Sequence, residues 1–344
     1  MKRCTIGALA LLLTTAAQSM ATPTYTFLGY DQLDGWAEDD HSEALAAFVE
    51  TCGDIARDEW ARLCDFAKDA PAARDFFELF FQPVLIEDGS EMLFTGYYEP
   101  ELQGALQPDD VYRYPLYGVP NDLRPGTRYL TRREIEESAV LNGQGLEIAW
   151  LRDPVEKFFL QIQGSGRISL PDGGFIRVGY AGKNGHDYTS VGGVLVARGT
   201  FEPHEVSAQV IKNWVRNNPE EGQALLWEND SYVFFREVNE VPADRGPLGA
   251  MNRSITPMRS IAVDPDVTLL GAPVWIEKDG ANPLRRLMIA QDTGSAIRGA
   301  QRADIFFGTG DAAGRAAGRV RDGGRMVVLM PVAYALSKLP ETVE

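Results

Sequence analysis

The sequence predicts a mainly β chain that opens with helices, and three features of its pattern carry that expectation. Between residues 42 and 81 apolar side chains recur at helical spacing. From Ile255 onward, short apolar runs alternate with turn residues, as in a barrel or a sandwich. In between, Pro171-Asp172-Gly173-Gly174 joins Ile168 and Leu170 to Ile176 and Val178 with the turn chemistry of a hairpin. With 344 residues and 44% hydrophobic content, the chain has room for two ordinary domains or one large one. Its 34 glycines and 20 prolines suit many short elements joined by turns.

At the N-terminus, Lys2 and Arg3 precede an apolar stretch from Ile6 to Thr15 that is too short to span a bilayer. Ser19-Met20-Ala21 then places small residues around a cleavage point, so residues 1–21 are expected to be a secretory signal peptide. No later run of about 18 apolar residues follows, and a soluble mature chain is expected. Cys4 would leave with the signal and could not carry a lipid. Cys52 and Cys64 remain, too few for a zinc cluster, and an oxidising compartment favours a bridge between them over two free buried thiols. In the chain-entropy picture, closing so short a loop stabilises by about 3 kcal/mol.

The first helical region rests on Leu45, Phe48 and Val49, continues through Ile55 and Trp60, and resumes after Pro71 with Phe76, Phe77, Phe80 and Phe81. A second helix is expected over Val206, Val210, Ile211 and Trp214, entered through Pro203 and stopped near Pro219. Phe158, Leu160 and Ile162 alternate with Phe159, Gln161 and Gln163, which predicts a strand with both glutamines on one face. Further strands are expected at Ser260–Val263, Pro273–Ile276, Leu287–Ala290, Ile305–Phe307 and Met326–Met330. Asp109–Tyr114 and Val241–Gly246 are the candidate domain junctions.

A net charge of −16 argues against nucleic acid as a partner. His41, His186 and His204 lack ligand spacing, so no metal site is expected, and neither a G-x-S-x-G elbow nor a P-loop occurs. Asp292-Thr293-Gly294 resembles an aspartic-protease signature but has no second copy. Gly308-Thr309-Gly310 has too little chain after it for a nucleotide-binding sheet. Asp304, within Ala303-Asp304-Ile305-Phe306-Phe307, has apolar neighbours and no adjacent positive partner. Desolvation would raise its pKa and suit it to general-acid work; a turn-capping role would lower the pKa instead. Thr95-Gly96-Tyr97-Tyr98-Glu99-Pro100, Gln163-Gly164-Ser165-Gly166 and Lys183-Asn184-Gly185-His186 gather amides, hydroxyls, rings and an ammonium beside glycines, chemistry suited to sugars.

Thr95–Pro100, Gln161–Gly166, Tyr180–His186, Ser260–Pro265, Asp292-Thr293-Gly294 and Ala303–Gly308 together resemble the membrane-bound lytic murein transglycosylase A family over roughly residues 80 to 330. The resemblance implies a double-psi β-barrel catalytic domain with N-terminal helices, residues 22–109 and 241–344, interrupted by an inserted β-barrel domain, residues 110–240. It implies cleavage of peptidoglycan between N-acetylmuramic acid and N-acetylglucosamine to 1,6-anhydro products, with no cofactor. Asp264, Asp292 and Asp304 match three family aspartates: Asp304 as the catalytic acid and base, Asp292 as its support. Thr95, Tyr97, Gln163, Ser165, Lys183 and Asn184 would line the glycan groove. Glycan strands are the implied partner, with other cell-wall enzymes as further partners. The signal lacks a lipobox cysteine, so a soluble periplasmic protein without a stable membrane anchor is expected, rather than one held at the outer membrane. The alternatives are a non-catalytic wall-binding scaffold and an acid protease using Asp292.

Overall fold

The computed structural model describes residues 23–338 apart from 56, 125 and 243; the expected signal peptide lies outside the described residues. A short strand β1 (Thr24–Phe27) leads to helices α1 (His41–Cys52), α2 (Asp58–Lys68) and α3 (Ala73–Phe80). Asp40 caps α1 by accepting from the Ser42 amide at 3.0 Å. The helix then buries Ala44, Ala47 and Phe48. Phe48 meets Trp60, Phe76, Phe77 and Phe81 with ring centroids 5.9–6.2 Å apart, so the aromatic repeat legible in the sequence is one cluster in space. A disulfide joins Cys52 to Cys64, with Cα atoms 5.3 Å apart, and ties the end of α1 to α2.

Phe81 leaves the helical run and opens β2 (Phe81–Glu87), followed by β3 (Leu93–Glu99) and β4 (Glu101–Ala105). Next come β5 (Tyr114–Tyr117), α4 (Arg132–Ser138), β6 (Glu147–Leu151), α5 (Pro154–Gln163), β7 (Ser165–Ser169) and β8 (Phe175–Lys183). Helices α6 (Val191–Ala197), α7 (Ala208–Asn217) and α8 (Pro219–Leu226) precede β9 (Val233–Glu237). The C-terminal part contains β10 (Ser260–Val263), β11 (Pro273–Lys278), β12 (Leu284–Thr293), β13 (Arg302–Thr309), α9 (Gly310–Ala317), β14 (Arg321–Asp322), β15 (Gly324–Pro331) and α10 (Val332–Leu336).

Two sheets organise these elements. Nine strands run in the order β1-β2-β15-β11-β12-β10-β13-β3-β14, and six in the order β5-β6-β4-β7-β8-β9. The first sheet packs Trp275, Phe94 and Leu287 against the N-terminal helices in one core, while the second sheet and α4–α8 bury smaller clusters of their own. The chain leaves the first sheet at Pro100, between β3 and β4, which is earlier than the junction expected at Asp109–Tyr114. Proline has no N–H to extend the β3 ladder, so the strand direction breaks there. The return runs through residues 238–259, between β9 and β10.

Two local expectations need correction. Residues 158–163 form the second half of helix α5, not a strand. Asp153 caps that helix by accepting from the Val155 amide, Pro154 occupies the first turn, and Gly164 at φ 79° stops it. Six alternating residues are too few to outweigh those boundary signals, and burial of Phe158, Phe159, Leu160 and Gln161 leaves no clean polar stripe. The helix expected from Pro203 over Val206 starts only at Ala208, capped by Ser207 accepting from the Val210 amide; it stops before Pro219 as expected, and Pro219 then starts α8, whose first turn does not need the missing N–H.

At the crossing between the sheets, Glu99 is fully buried. Its carboxylate faces Arg177 Nε at 2.8 Å and Arg167 Nε at 3.1 Å, and accepts from Thr309 Oγ1 at 2.7 Å. Arg167 and Arg177 belong to β7 and β8, so this cluster fastens the second sheet to the first.

Candidate active site

The site grows from one row of residues across the first sheet. Ala262 on β10 pairs with Asp292 on the parallel strand β12 and with Asp304 on the antiparallel strand β13. Asp304 in turn pairs with Thr95 on β3, and Phe306 with Tyr97. Residues in one row point to one face. Asp292, Ala262, Asp304 and Thr95 therefore share a face, with the two aspartates two strand spacings, about 10 Å, apart in backbone position. In the strand pairing, Ala262 stands between them.

Asp292 reaches this row because of a β-bulge. The register of β10 and β12 passes from Ile261–Ala290 to Ala262–Asp292, which leaves Gln291 as the extra residue. An unbulged strand would set Gln291 opposite Ala262 and send Asp292 to the other face. Gln291 instead is buried, where it donates to the Ala47 carbonyl at 2.8 Å and accepts from the Ser260 hydroxyl.

The two carboxylates are held differently. Asp292 accepts three hydrogen bonds: Tyr97 Oη at 2.8 Å on one oxygen, and the Ala250 and Thr293 amides at 3.0 and 2.9 Å on the other. Asp304 accepts from Thr95 Oγ1 at 2.6 Å on Oδ1, and no hydrogen bond among the described residues engages its Oδ2. Burial is the largest influence on each and raises both pKa values. Asp292 is pushed up to about 6, against three stabilising donors and with a small further rise from the charge of Asp304. Asp304 is raised by burial and partly drawn back by the Thr95 hydroxyl and the Arg302 charge. Burial also lifts the Tyr97 phenol well above its ordinary value, so it stays a neutral donor.

Arg302 corrects the reading of Asp304 as free of a local cation. It stands two residues earlier on β13 and so shares the face of Asp304. Its Nη2 donates to Thr95 Oγ1 at 2.8 Å, and Nη1 to the Ala303 carbonyl at 2.6 Å. The guanidinium thus reaches Asp304 through the Thr95 hydroxyl, which accepts from one and donates to the other.

A cavity of about 270 Å³ opens over this row. Tyr97, Asp292, Arg302 and Asp304 form its floor, and Arg132, Gln161, Gln163 and Tyr188 bring the second sheet unit to its rim. Gln163 Oε1 accepts from the Tyr98 amide at 3.1 Å, a bond to β3 beyond its short pairing with β14. Thr95, Tyr97, Gln163, Asp292 and Asp304 therefore come together. Ser165, Lys183 and Asn184 do not line this cavity. Lys183 is exposed on β8, and Ser165 is half-buried at the start of β7. Asn184 is fully buried; it donates to the Leu130 and Asp230 carbonyls at 2.8 Å and accepts from the Tyr232 amide at 2.9 Å, so its amide is occupied by backbone. Asp264 accepts from the Gly299 amide at 2.8 Å and faces Arg298 at 3.0 Å, which makes it a loop fastener.

Arg132 and Arg302 are the rim and floor residues that the sequence reading passed over. For Arg302 the signal was present, a basic residue at strand spacing from a buried acid. For Arg132 it was not, because only tertiary packing carries α4 to the cavity. Gly96 also has a structural duty: a Cβ there would come within 2.8 Å of the Ala317 backbone, so it admits α9 against β3. Among the described residues, no group of His, Cys, Asp and Glu could hold a metal ion, and no helix is long and apolar enough to cross a membrane.

Comparison with known proteins bears on this arrangement. Residues 93–236 match the MltA specific insert domain and residues 259–330 match the 3D domain. The membrane-bound lytic murein transglycosylase A of Vibrio cholerae serotype O1 is 36% identical over 247 residues, 68% of this chain and 64% of that protein. The chain thus matches slightly less than two thirds of that relative's length. Among solved structures, a membrane-bound lytic murein transglycosylase from Agrobacterium tumefaciens superposes with a TM-score of 0.83 at 33% identity, covering 92% of this chain and all of that one. The Escherichia coli MltA structure with bound chitohexaose gives a TM-score of 0.70 at 28% identity, covering 85% and 89%. Fold and site together define a 3D-domain protein that carries an inserted second unit. The chain belongs to the membrane-bound lytic murein transglycosylase A family.

Proposed function

We propose that the protein is a peptidoglycan lytic transglycosylase in which Asp304 acts first as general acid and then as general base. The observation that carries this reading is the contrast in hydrogen bonding. Asp292 has donors on both oxygens, whereas no hydrogen bond among the described residues engages Asp304 Oδ2, and burial raises the proton affinity of Asp304. Asp304 would give that proton to the glycosidic oxygen between N-acetylmuramic acid and N-acetylglucosamine as the C1–O bond breaks. Its carboxylate would then take the proton from the muramoyl C6 hydroxyl as that oxygen bonds to C1. The product is a 1,6-anhydro sugar, and no water enters. A second carboxylate is unnecessary because the nucleophile belongs to the same sugar, and proximity replaces activation by a separate base. Asp292 and Tyr97 would orient the site, and Thr95 would hold Asp304 while relaying the charge of Arg302.

In this reading the first sheet is a double-psi barrel body with N-terminal helices, and the second sheet is an inserted domain that walls the glycan groove. Ser165 and Lys183 would contribute only if the strand extends beyond the cavity. The bound chitohexaose of the Escherichia coli relative supports a sugar chain as ligand. The signal-like segment and the disulfide between Cys52 and Cys64 support action in an oxidising compartment such as the periplasm.

Digestion of purified sacculi followed by mass spectrometry tests the reaction. Products lacking the mass of one water at their muramoyl ends are expected; reducing-end products would identify a hydrolase and overturn the proposal.

A further inference from the structure

The second sheet unit contains a separate cavity of about 300 Å³, walled by α4, α5, α8 and β5. Tyr114, Tyr117 and Trp227 supply aromatic surface, Glu136 and Lys157 supply charge inside, and exposed Arg113 stands at the mouth. Its volume suits one amino-acid or sugar unit, not a polymer.

The charges inside do not balance. Arg132 and Lys157 are both buried, at 2% and 6% exposure, and both face the same oxygen of Glu136 at 3.5 Å. The other oxygen of Glu136 accepts from Trp227 Nε1 at 3.0 Å and Gln223 Nε2 at 3.4 Å. Arg132 completes its bonding with neutral acceptors: the Asn229 and Ser231 carbonyls at 3.0 and 2.6 Å, and Gln161 Oε1 at 2.5 Å. Glu147, the other carboxylate near Tyr117, is engaged by the Gly143 amide. Lys157 Nζ faces the Glu136 oxygen it shares with Arg132, and the neutral Tyr232 hydroxyl. It lies 5.9 and 5.5 Å from the centroids of the Tyr117 and Tyr232 rings. Two buried cations that share one carboxylate leave one positive charge without a counter-ion, which is costly in so buried a place unless an anion joins it. In a chain of net charge −16, this cavity is a buried centre of positive charge.

We propose that this cavity binds a carboxylate-bearing peptide group, with Lys157 and Arg113 as its charge partners and Trp227, Tyr114 and Tyr117 as its apolar wall. Resting on the wall-cleaving reading above, the group would be a terminal carboxylate of a stem peptide carried by the glycan, held by the second unit while the sugar lies at Asp304. Arg132 lines the catalytic cavity and faces Glu136 in this one, so the two sites share a buried charge bridge.

The test uses the full chain, with N-acetyl-alanine and its amide as calorimetric probes. The carboxylate should bind and the amide should not. Lys157→Met and Arg113→Gln should each weaken binding at least about tenfold, the scale of one hydrogen bond to a charged group. Arg113 is exposed, so its variant keeps the test valid even where Lys157→Met fails to fold. On wall strands, Arg113→Gln should raise KM for peptide-bearing glycan and leave enzymatically stripped glycan unchanged. Equal binding of acid and amide, wild-type binding by the variants, or an equal KM change on both substrates would overturn the proposal. The calorimetric arm needs no turnover, so its outcome is independent of whether the chain proves to be a lytic enzyme.

Discussion

Glu99 and Asp304 lie on the same pair of strands, β3 and β13, and both are buried carboxylates, yet their surroundings are opposite. Glu99 faces two guanidiniums, Arg167 and Arg177, and is bonded by Thr309. Asp304 touches one neutral hydroxyl, and the guanidinium behind it is one residue removed. A buried charge answered by cations becomes a fastener whose removal strands its partners. A buried acid answered by a neutral donor keeps a raised proton affinity and can trade that proton with a ligand. The same strand pair thus supplies a joint at one end and, a few residues away, a buried acid suited to the proposed proton chemistry, according to what the neighbouring strands bring.

The sharpest division of the two roles comes from Asp304→Asn. Loss of the proton carrier should lower turnover of sacculi by a factor of at least 10²–10⁴, the usual span of general acid–base catalysis, while binding of glycan strands and thermal stability stay near wild type. Substantial remaining lysis would move the acid elsewhere. Glu99→Ala should do the reverse in kind: it leaves the almost fully buried Arg177 without a counter-charge and should cost about 3–5 kcal/mol of stability in denaturant melts. A melt close to wild type would show that the cluster is not the joint described.

Asp292 sharpens the comparison through pH. Its folded pKa of about 6 lies above the unfolded value, so its contribution to stability is full below the unfolded pKa and is lost as pH rises through 6. The shift of roughly 2 units corresponds to about 3 kcal/mol. Asp292→Asn cannot lose this contribution. Its stability relative to wild type should therefore improve by that order between pH 4 and pH 8, and a pH-independent difference would contradict the raised pKa. The smallest effect belongs to Thr95→Val. Removing the hydroxyl takes away a donor that lowers the Asp304 pKa, so the acid should keep its proton to higher pH. The descending limb of the kcat/KM profile should shift upward, and a downward shift would rule out Thr95 as the link to Asp304.

Much of this was legible in one dimension. The apolar spacing over residues 42–81 marked the N-terminal helices, and the C-terminal runs marked β10 to β13 and β15, because core-facing periodicity is a local property. Asp304 stood out through its apolar neighbours, and the polar cluster at Thr95 and Tyr97 through its composition. Asn184 shows the limit of composition: a polar residue near glycine does not tell whether its amide meets a ligand or, as here, three backbone groups. The strand assigned to residues 158–163 failed where short alternation competed with Asp153-Pro154 and Gly164, whose boundary signals act over the whole helix.

By itself, the sequence determined which segments are helices or strands across most of the first sheet, which aspartates were candidates for the site, and which cysteines are available to pair. Only the tertiary structure decided that Asp292 and Asp304 flank one alanine, since that depends on the pairing of β10 with strands far apart in the chain and on a bulge at Gln291 that turns one aspartate to the shared face. Local pattern records how a segment meets water and core; register between distant strands is set by the packing of all of them at once, and the proton chemistry proposed for this site depends on that register.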